Sequence, residues 1–376
     1  MKENWTYKKL GEVCEIYQPQ TISTEMLVPD GEYLVYGANG IIGRYDKYNH
    51  IESEVLLTCR GATCGSINVS VPYSWINGNA MVIHPIDDSV FCSRSFLVYL
   101  MKSIDYSLVI TGAAQPQITR QKLSPVKIAI PPIETQSRIV AELDLLQSII
   151  DKQKAQLKEL DNLAQAVFYD MFGDPVENEK GWEVKRVEDL CEVSSAKRVL
   201  VEDVVESGIP FLRGTELTAL SKVVSSKDVK FTMFITPEHY ERVKSITGVP
   251  KKGDILIPSI NSEGITWVVD TDEPFYFKDG RVIWVHVNTD AFVSQYLSFV
   301  ISKILKANYT VLTSGATFLE LKLFIIRDLV VPIPPLSLQQ SFAAKIESIE
   351  KQKATITKSI EESQKLFDYT MDKYFG

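Results

Sequence analysis

Arg60 and Thr63, the Asn77-Gly78-Asn79 turn, and Gln115 with Gln117 place a guanidinium, a hydroxyl and planar amides in or beside turns of the first half of the chain. The second half offers Arg213, Thr215, Asn261, Ser262, Lys278 and Arg281 in similar settings. Such side chains at loop tips can form paired hydrogen bonds with the edge of a flat heterocycle, which is the chemistry of reading bases in a nucleic-acid groove. Arg44, Lys47, Arg120 and Lys122 are cations better suited to phosphate. Each of these residues also has an ordinary reading as a surface or turn residue. That reading is strongest for Asn77 and Asn79, because Asn-Gly-Asn is good turn chemistry.

Catalytic chemistry finds less support. There is no GxGxxG and no GxxxxGK[ST] to cradle a cofactor phosphate. Amino-methyl transfer needs an Asn or Asp before Pro-Pro and an aromatic residue. The chain has Ile130-Pro-Pro-Ile133 and Ile333-Pro-Pro-Leu336, which read as helix starts instead. Asp174 with Glu183 and Lys185 resembles a nuclease carboxylate set, but Thr6-Tyr7-Lys8, the matching residues of the first copy described below, hold no acid. Cys59 and Cys64 are the only close cysteine pair, their spacing is not CxxC, and no His is near, so no metal site is expected. His84 and His286 each end a strand before a helix and are expected to play structural polar roles.

The elements that carry these residues occur twice. Trp5-Thr-Tyr-Lys-Lys-Leu-Gly-Glu-Val-Cys-Glu-Ile16 realigns on Trp182-Glu-Val-Lys-Arg-Val-Glu-Asp-Leu-Cys-Glu-Val193. TGAAQPQITRQKLSPVKIAIPP (111–132) realigns without a gap on SGATFLELKLFIIRDLVVPIPP (314–335), and the same offset carries Gln136 onto Gln339 and Phe172-Gly173 onto Phe375-Gly376. Between these anchors 53–69 resembles 253–269, and the second copy is the longer. A unit of this length is a domain and not a solenoid repeat.

With 376 residues and 45% apolar content, the chain can bury two cores. No low-complexity linker, secretory h-region or run of 18 apolar residues occurs, and the five cysteines read as reduced thiols, so a cytoplasmic protein is expected. The net charge of −8 argues against a simple basic nucleic-acid binder. Binding to DNA would need its basic groups gathered on one face or supplied by partners.

Each half reads as short β-rich runs, an amphipathic helix, a strand, Pro-Pro, and then a long helix. In the first half the runs are 33–36, 55–59, 67–71 and 80–84, and the helix is near 93–104. In the second they are 255–258, 266–269 and 282–287, with the helix near 290–306. The fold class is α/β (α+β) with a mostly antiparallel or mixed sheet, since strands follow one another without regular crossover helices. After each Pro-Pro, a mostly apolar seam alternates spacings of four and three. Ile139, Leu143, Leu146, Ile150, Gln153, Leu157, Leu160, Ala164, Val167 and Met171 form one seam. Phe342, Ile346, Ile349, Lys353, Ile356, Ile360, Ser363, Phe367, Thr370 and Tyr374 form the other. A helix of about 38 residues spans roughly 57 Å, and one alone would expose its seam. The two are expected to pair as an antiparallel coiled coil, a rod with a head at each end. The segments are then 1–132 (head), 133–173 (helix), 174–335 (head) and 336–376 (helix).

This order resembles the DNA-specificity subunit of type I restriction–modification systems. The resemblance rests on PPIETQ (131–136), a long helix, FGDP (172–175), a second head, PPLSLQQ (334–340), a second helix and YFG (374–376). In the first head GANGIIGRYDKY (37–48), LLTCRGATCG (56–65) and GAAQPQIT (112–119) look like target-recognition motifs. The resemblance implies a non-catalytic subunit whose heads, the target-recognition domains, each read half of a split site on double-stranded DNA. Its helices would set the unread spacer and dock two modification subunits. A restriction subunit with translocase and nuclease activity would join them, with S-adenosylmethionine, ATP and Mg belonging to those partners. Arg138, Glu142, Lys152 and Lys158 on the outer helix faces are the candidate partner contacts. The second copy departs from the pattern where Ile260, followed by Asn261-Ser262-Glu263, stands in place of Arg60. The competing reading is a coiled-coil scaffold whose heads bind proteins, and the acidic balance favours it.

Overall fold

A computed structural model describes residues 4–112, 115–223, 226–312 and 320–376. Ala113 and Ala114 of the first repeat anchor, and 314–319 of the second, lie outside the described residues. The chain forms two compact units, one of residues 1–152 with 360–376 and the other of 153–359. These cut across the chain order, because each unit takes part of both long helices.

In the first unit a four-stranded antiparallel sheet runs in the order Cys14–Tyr17, Ala80–Pro85, Val55–Thr58, Ile67–Val69. Val55–Thr58 is buried at every residue, as expected of the central strand of a covered sheet. A second sheet pairs Tyr33–Gly37 antiparallel with Gly40–Tyr45 and parallel with Trp75–Ile76. Thr6–Lys9 pairs with Lys127–Ile130, which ties the start of the unit to the strand that leads into Pro131-Pro132. The helix Arg94–Lys102 is capped by Ser93, whose Oγ accepts from Phe96 N at 3.3 Å.

The second unit repeats this plan. Its first sheet runs Glu192–Ser194, Val282–His286, Ile255–Pro258, Trp267–Val268. In its second sheet Ile209–Leu212 lies parallel to Tyr276–Phe277, and a separate two-stranded sheet pairs Val184–Arg186 with Val330–Pro332. The extra length is local. Residues 38–54 separate the matching strands in the first unit and 213–254 in the second, where the helices Gly214–Leu220 and Pro237–Thr247 are added. The sequence reading missed both helices. The helix expected near 290–306 is Ser294–Leu312.

The histidines act alike. His84 Nδ1 lies 3.0 Å from both carboxylate oxygens of buried Glu54, and His286 Nδ1 lies 2.9 Å from Oδ1 of buried Asp254. Each gives a buried acid a hydrogen-bond partner at a strand end, and Glu54 is also met by Arg94 Nη1 at 3.4 Å.

The long helices are Ile133–Phe172 and Leu336–Phe375, each of 40 residues. Within the first unit Tyr374 Oη donates to Glu142 at 2.5 Å. Within the second, Gln153 Nε2 donates to Ser359 Oγ at 2.7 Å, Lys353 meets Asp161 at 2.9 Å, and the Phe168 and Phe342 rings lie 5.6 Å apart. Partner numbers fall as helix numbers rise, so the pair is an antiparallel coiled coil. Every seam position named above is buried or half-buried. The seam ends inside the head cores. Phe168 and Phe172 pack against Tyr296 and Phe342, while Phe367 meets Tyr99 and Phe375 meets Phe96. Each helix therefore finishes in a core built largely by the other half of the sequence. No helix among the described residues is long and apolar enough to cross a membrane.

Candidate nucleic-acid interface

In the first unit, strand pairing zips together two loops that are far apart in sequence. Ile118 N donates to Cys59 O at 3.0 Å, Gly61 N donates to Pro116 O at 3.0 Å, and Arg60 bridges Gln117. On the other side of the same strand, Cys59 N donates to Asn79 O at 3.4 Å. Arg60, Thr63, Asn79, Gln115 and Gln117 are thereby brought to one edge of the head, all exposed except half-buried Gln117. Arg120 and Lys122 follow on the short helix Arg120–Leu123 and are exposed.

Asn77 stands apart and corrects the expectation of a base contact. It is buried, with Oδ1 accepting from Ile22 N at 3.0 Å and Trp75 Nε1 at 3.1 Å while Nδ2 donates to Ile22 O at 3.2 Å. An amide engaged on both sides inside a fold has nothing to offer a base. Arg44 is exposed but donates to Gly31 O at 2.9 Å and Glu32 O at 3.1 Å, so it steadies its hairpin, and Lys47 is exposed just beyond it.

In the second unit the equivalent edge is a cleft of about 640 Å³, and Arg213, Thr215, Ile260, Lys278 and Arg281 line it. The same backbone zipper builds it. Leu321 N donates to Ser259 O at 2.7 Å, as Ile118 does to Cys59, and Ser259 N donates to Arg281 O at 2.9 Å, as Cys59 does to Asn79. Lys278 N donates to Leu212 O at 2.9 Å, as Asn77 N does to Tyr36 O. Position for position, Asn79 corresponds to Arg281 and Gln117 to Glu320. The guanidinium missing at Ile260 thus comes from the neighbouring strand.

Two carboxylates steady the arginines. Glu216 takes Arg213 Nε at 3.2 Å and Nη2 at 2.7 Å, and its Oε2 also accepts from Thr215 Oγ1 at 2.9 Å. Burial alone would push the Glu216 carboxyl up, but these bonds together with the Arg213 backbone N–H outweigh it and bring the pKa to about 2. Glu320 takes Arg281 Nη1 at 3.1 Å, Lys322 Nζ at 2.9 Å and Ser259 Oγ at 3.0 Å. Burial again acts upward, and the bonds from Lys322 and Ser259 with the nearby cations hold Glu320 below the usual carboxylate range. Both acids stay ionised beneath a cationic cleft.

Asn261 is a second correction. It is buried, with Nδ2 donating to Ile265 O at 2.7 Å and Oδ1 accepting from Ile265 N at 2.5 Å, which closes the 261–265 loop. Gly264, at φ 68°, allows that loop to lie against the Ser302 carbonyl, where a Cβ would collide. Ser262 next to it is exposed. On the long helices, Arg138, Lys152 and Lys158 are exposed, whereas Glu142 is occupied within the coiled coil by Tyr374 and Lys373. This corrects the reading of Glu142 as an outward partner contact.

A family described as the type I restriction modification DNA specificity domain matches residues 2–162 and 179–364, nearly the whole chain in two copies. The chain belongs to that family. A putative type I restriction enzyme specificity subunit of Haemophilus influenzae is 25% identical, over 96% of this chain and 93% of that one. A type I restriction enzyme specificity subunit of Methanocaldococcus jannaschii is 23% identical, over 93% of this chain and 86% of that one. The fold is shared with the crystal structure of a type I restriction–modification S subunit from M. genitalium, at TM-score 0.58, 16% identity and 99% and 96% coverage of the two chains. A second solved structure, from work on assembly of a type I restriction–modification system, gives TM-score 0.54 at 18% identity.

Within this specificity family, Asn79 of the first head and Arg281 of the second occupy equivalent scaffold positions. The sequence reading missed Glu216 and Glu320. Glu320 was within reach, because the gapless repeat sets it on Gln117. Glu216 gave only the weak signal of an Arg-x-x-Glu spacing.

Proposed function

We propose that this chain is the non-catalytic specificity subunit of a type I restriction–modification complex and that each head reads one half of a bipartite double-stranded DNA site. The observation that carries this reading is the duplicated edge. One backbone zipper presents Arg60, Thr63, Asn79, Gln115 and Gln117 in the first head and Lys278 and Arg281 in the second, where Arg213 and Thr215 line the same cleft and Ser262 follows Ile260 of its lining. Arg120 and Lys122, with Lys47 and part-engaged Arg44, contact phosphate. Binding at this edge rests on its local cations against a net charge of −8. The paired helices set the spacer, and their exposed faces, including Arg138, Lys152 and Lys158, dock two modification subunits. Methyl transfer from S-adenosylmethionine belongs to those subunits, and ATP- and Mg-dependent translocation and cleavage belong to a restriction subunit.

The test is to replace 174–335 by the corresponding head of another family member and to sequence genome methylation in cells that also carry the modification subunits. One half-site changes and the other stays. Alteration of both half-sites, or of neither, overturns the reading, as does tight binding of a protein to the Arg213–Arg281 edge with no DNA dependence.

A further inference from the structure

The two heads share a scaffold but differ at one pair of equivalent positions. Asn79 and Gln117 flank Cys59 in the first, while Arg281 and Glu320 flank Ser259 in the second. In the second head the pair is joined, with Arg281 Nη1 3.1 Å from Glu320 Oε1, and 52% of the Arg281 side chain remains exposed. Glu320 is itself fixed by Ser259 Oγ at 3.0 Å and Lys322 Nζ at 2.9 Å. A carboxylate behind a guanidinium has two effects. It offsets the arginine's charge, which weakens the pull toward phosphate. It also fixes the plane of the fork, which favours a bidentate acceptor edge. The neutral planar edge with two adjacent acceptors in the major groove is guanine O6 and N7.

Resting on the DNA-reading function above, we propose that Arg281, positioned by Glu320, reads a guanine in the half-site of the second head. Arg281 is the residue that touches the base, and Glu320 acts through it. Asn79 and Gln117 hold the matching places in the first head, and amides suit adenine N6 and N7. The base class that each head selects is thus set at one structurally equivalent pair of positions.

The test uses the full chain with its modification subunits and reads methylated sites genome-wide, the second half-site having been assigned by the head exchange above. Arg281→Lys keeps the charge and loses the fork. Discrimination for guanine at one base pair is expected to fall by about five- to 150-fold, equivalent to the ~1–3 kcal/mol of a bidentate contact, while the first half-site and the salt dependence of binding stay as they were. Glu320→Gln relaxes the same base pair by less. The double variant Arg281→Asn, Glu320→Gln moves preference there from guanine toward adenine. Thermal melting of each variant beside the parent separates misfolding from altered reading.

Three results would overturn the inference while leaving the DNA-reading function intact. One is a second half-site without guanine. Another is an Arg281→Lys protein that keeps full discrimination, as a phosphate contact would. The third is a Glu320→Gln effect spread evenly over all base pairs. If the parent complex yields no bipartite site at all, the DNA-reading function itself fails.

Discussion

Gln339 makes in the second head the three hydrogen bonds that Gln136 makes in the first. Gln136 Oε1 accepts from Cys92 N at 2.9 Å, and its Nε2 donates to Val90 O and Pro131 O, both at 2.9 Å. Gln339 Oε1 accepts from Val293 N at 2.9 Å, and its Nε2 donates to Ala291 O at 3.1 Å and Pro334 O at 2.9 Å. Both side chains are fully buried. Each glutamine therefore stitches the first turn of a long helix to the segment leading into the head's own helix.

Replacing either glutamine with leucine keeps the volume and strands one buried and two half-buried backbone groups. A cost of about 2–4 kcal/mol is expected, since an unsatisfied buried group costs ~1–3 kcal/mol and a half-buried one less. Urea unfolding of the full chain checks it. A loss below ~0.5 kcal/mol would show that the stitch carries no stability.

Asn261 and Ser262 are neighbours with opposite expectations. Asn261→Ala opens the 261–265 loop and costs about 1–3 kcal/mol, because Ile265 N–H and C=O lose their partner. Ser262→Ala, at an exposed position, changes stability by less than ~0.5 kcal/mol. Paired thermal melts decide between this and equivalent roles for the two residues.

Glu216 gives the second head an acid-sensitive link. Its folded pKa of about 2 lies below its ordinary value of 4.5, so the carboxylate stabilises the head fully above the ordinary value. That contribution fades as pH falls from there toward 2. The stability gap between the parent and Glu216→Gln should shrink steadily over this window in urea titrations. A gap that stays constant across the same range contradicts an ionised, bonded Glu216.

The coiled coil makes a prediction about spacing. Gln153 lies opposite Ser359 and Asp161 opposite Lys353, so Leu157 and Ile356 stand at one level. One heptad inserted after each keeps the seam in phase and adds about 10 Å of helix, close to three base pairs at ~3.4 Å each. The half-site sequences should persist while the spacer lengthens by about two to four base pairs, or binding should be lost through wrong helical phase. Methylation at the original spacing with full efficiency would remove the helices from any role in spacing.

The sequence by itself determined the duplication, the position of both long helices, their antiparallel pairing and several of the strands around them. These features come from periodicity and from repeated segments, which are local properties: a seam of spacings four and three leaves a helix one face to bury. The seam runs to Met171 and Tyr374, and the helices end one residue later, at Phe172 and Phe375. Only the tertiary structure decided that these ends lie in head cores built largely by the other half of the chain.

It also decided which polar loop residues remain available. Asn77, Asn79 and Asn261 look alike as residue types, yet Asn79 is exposed while the other two are spent on Ile22, Trp75 and Ile265. Glu142 is likewise occupied by Tyr374 opposite it, whereas Lys152 and Lys158 of the same helix stay exposed. Arg281 meets Glu320 because strand pairing aligns Arg281 and Leu321 on either side of Ser259. Contacts of that kind join residues tens of positions apart, and neither spacing nor composition fixes them. The backbone hydrogen bonds of the folded sheet do.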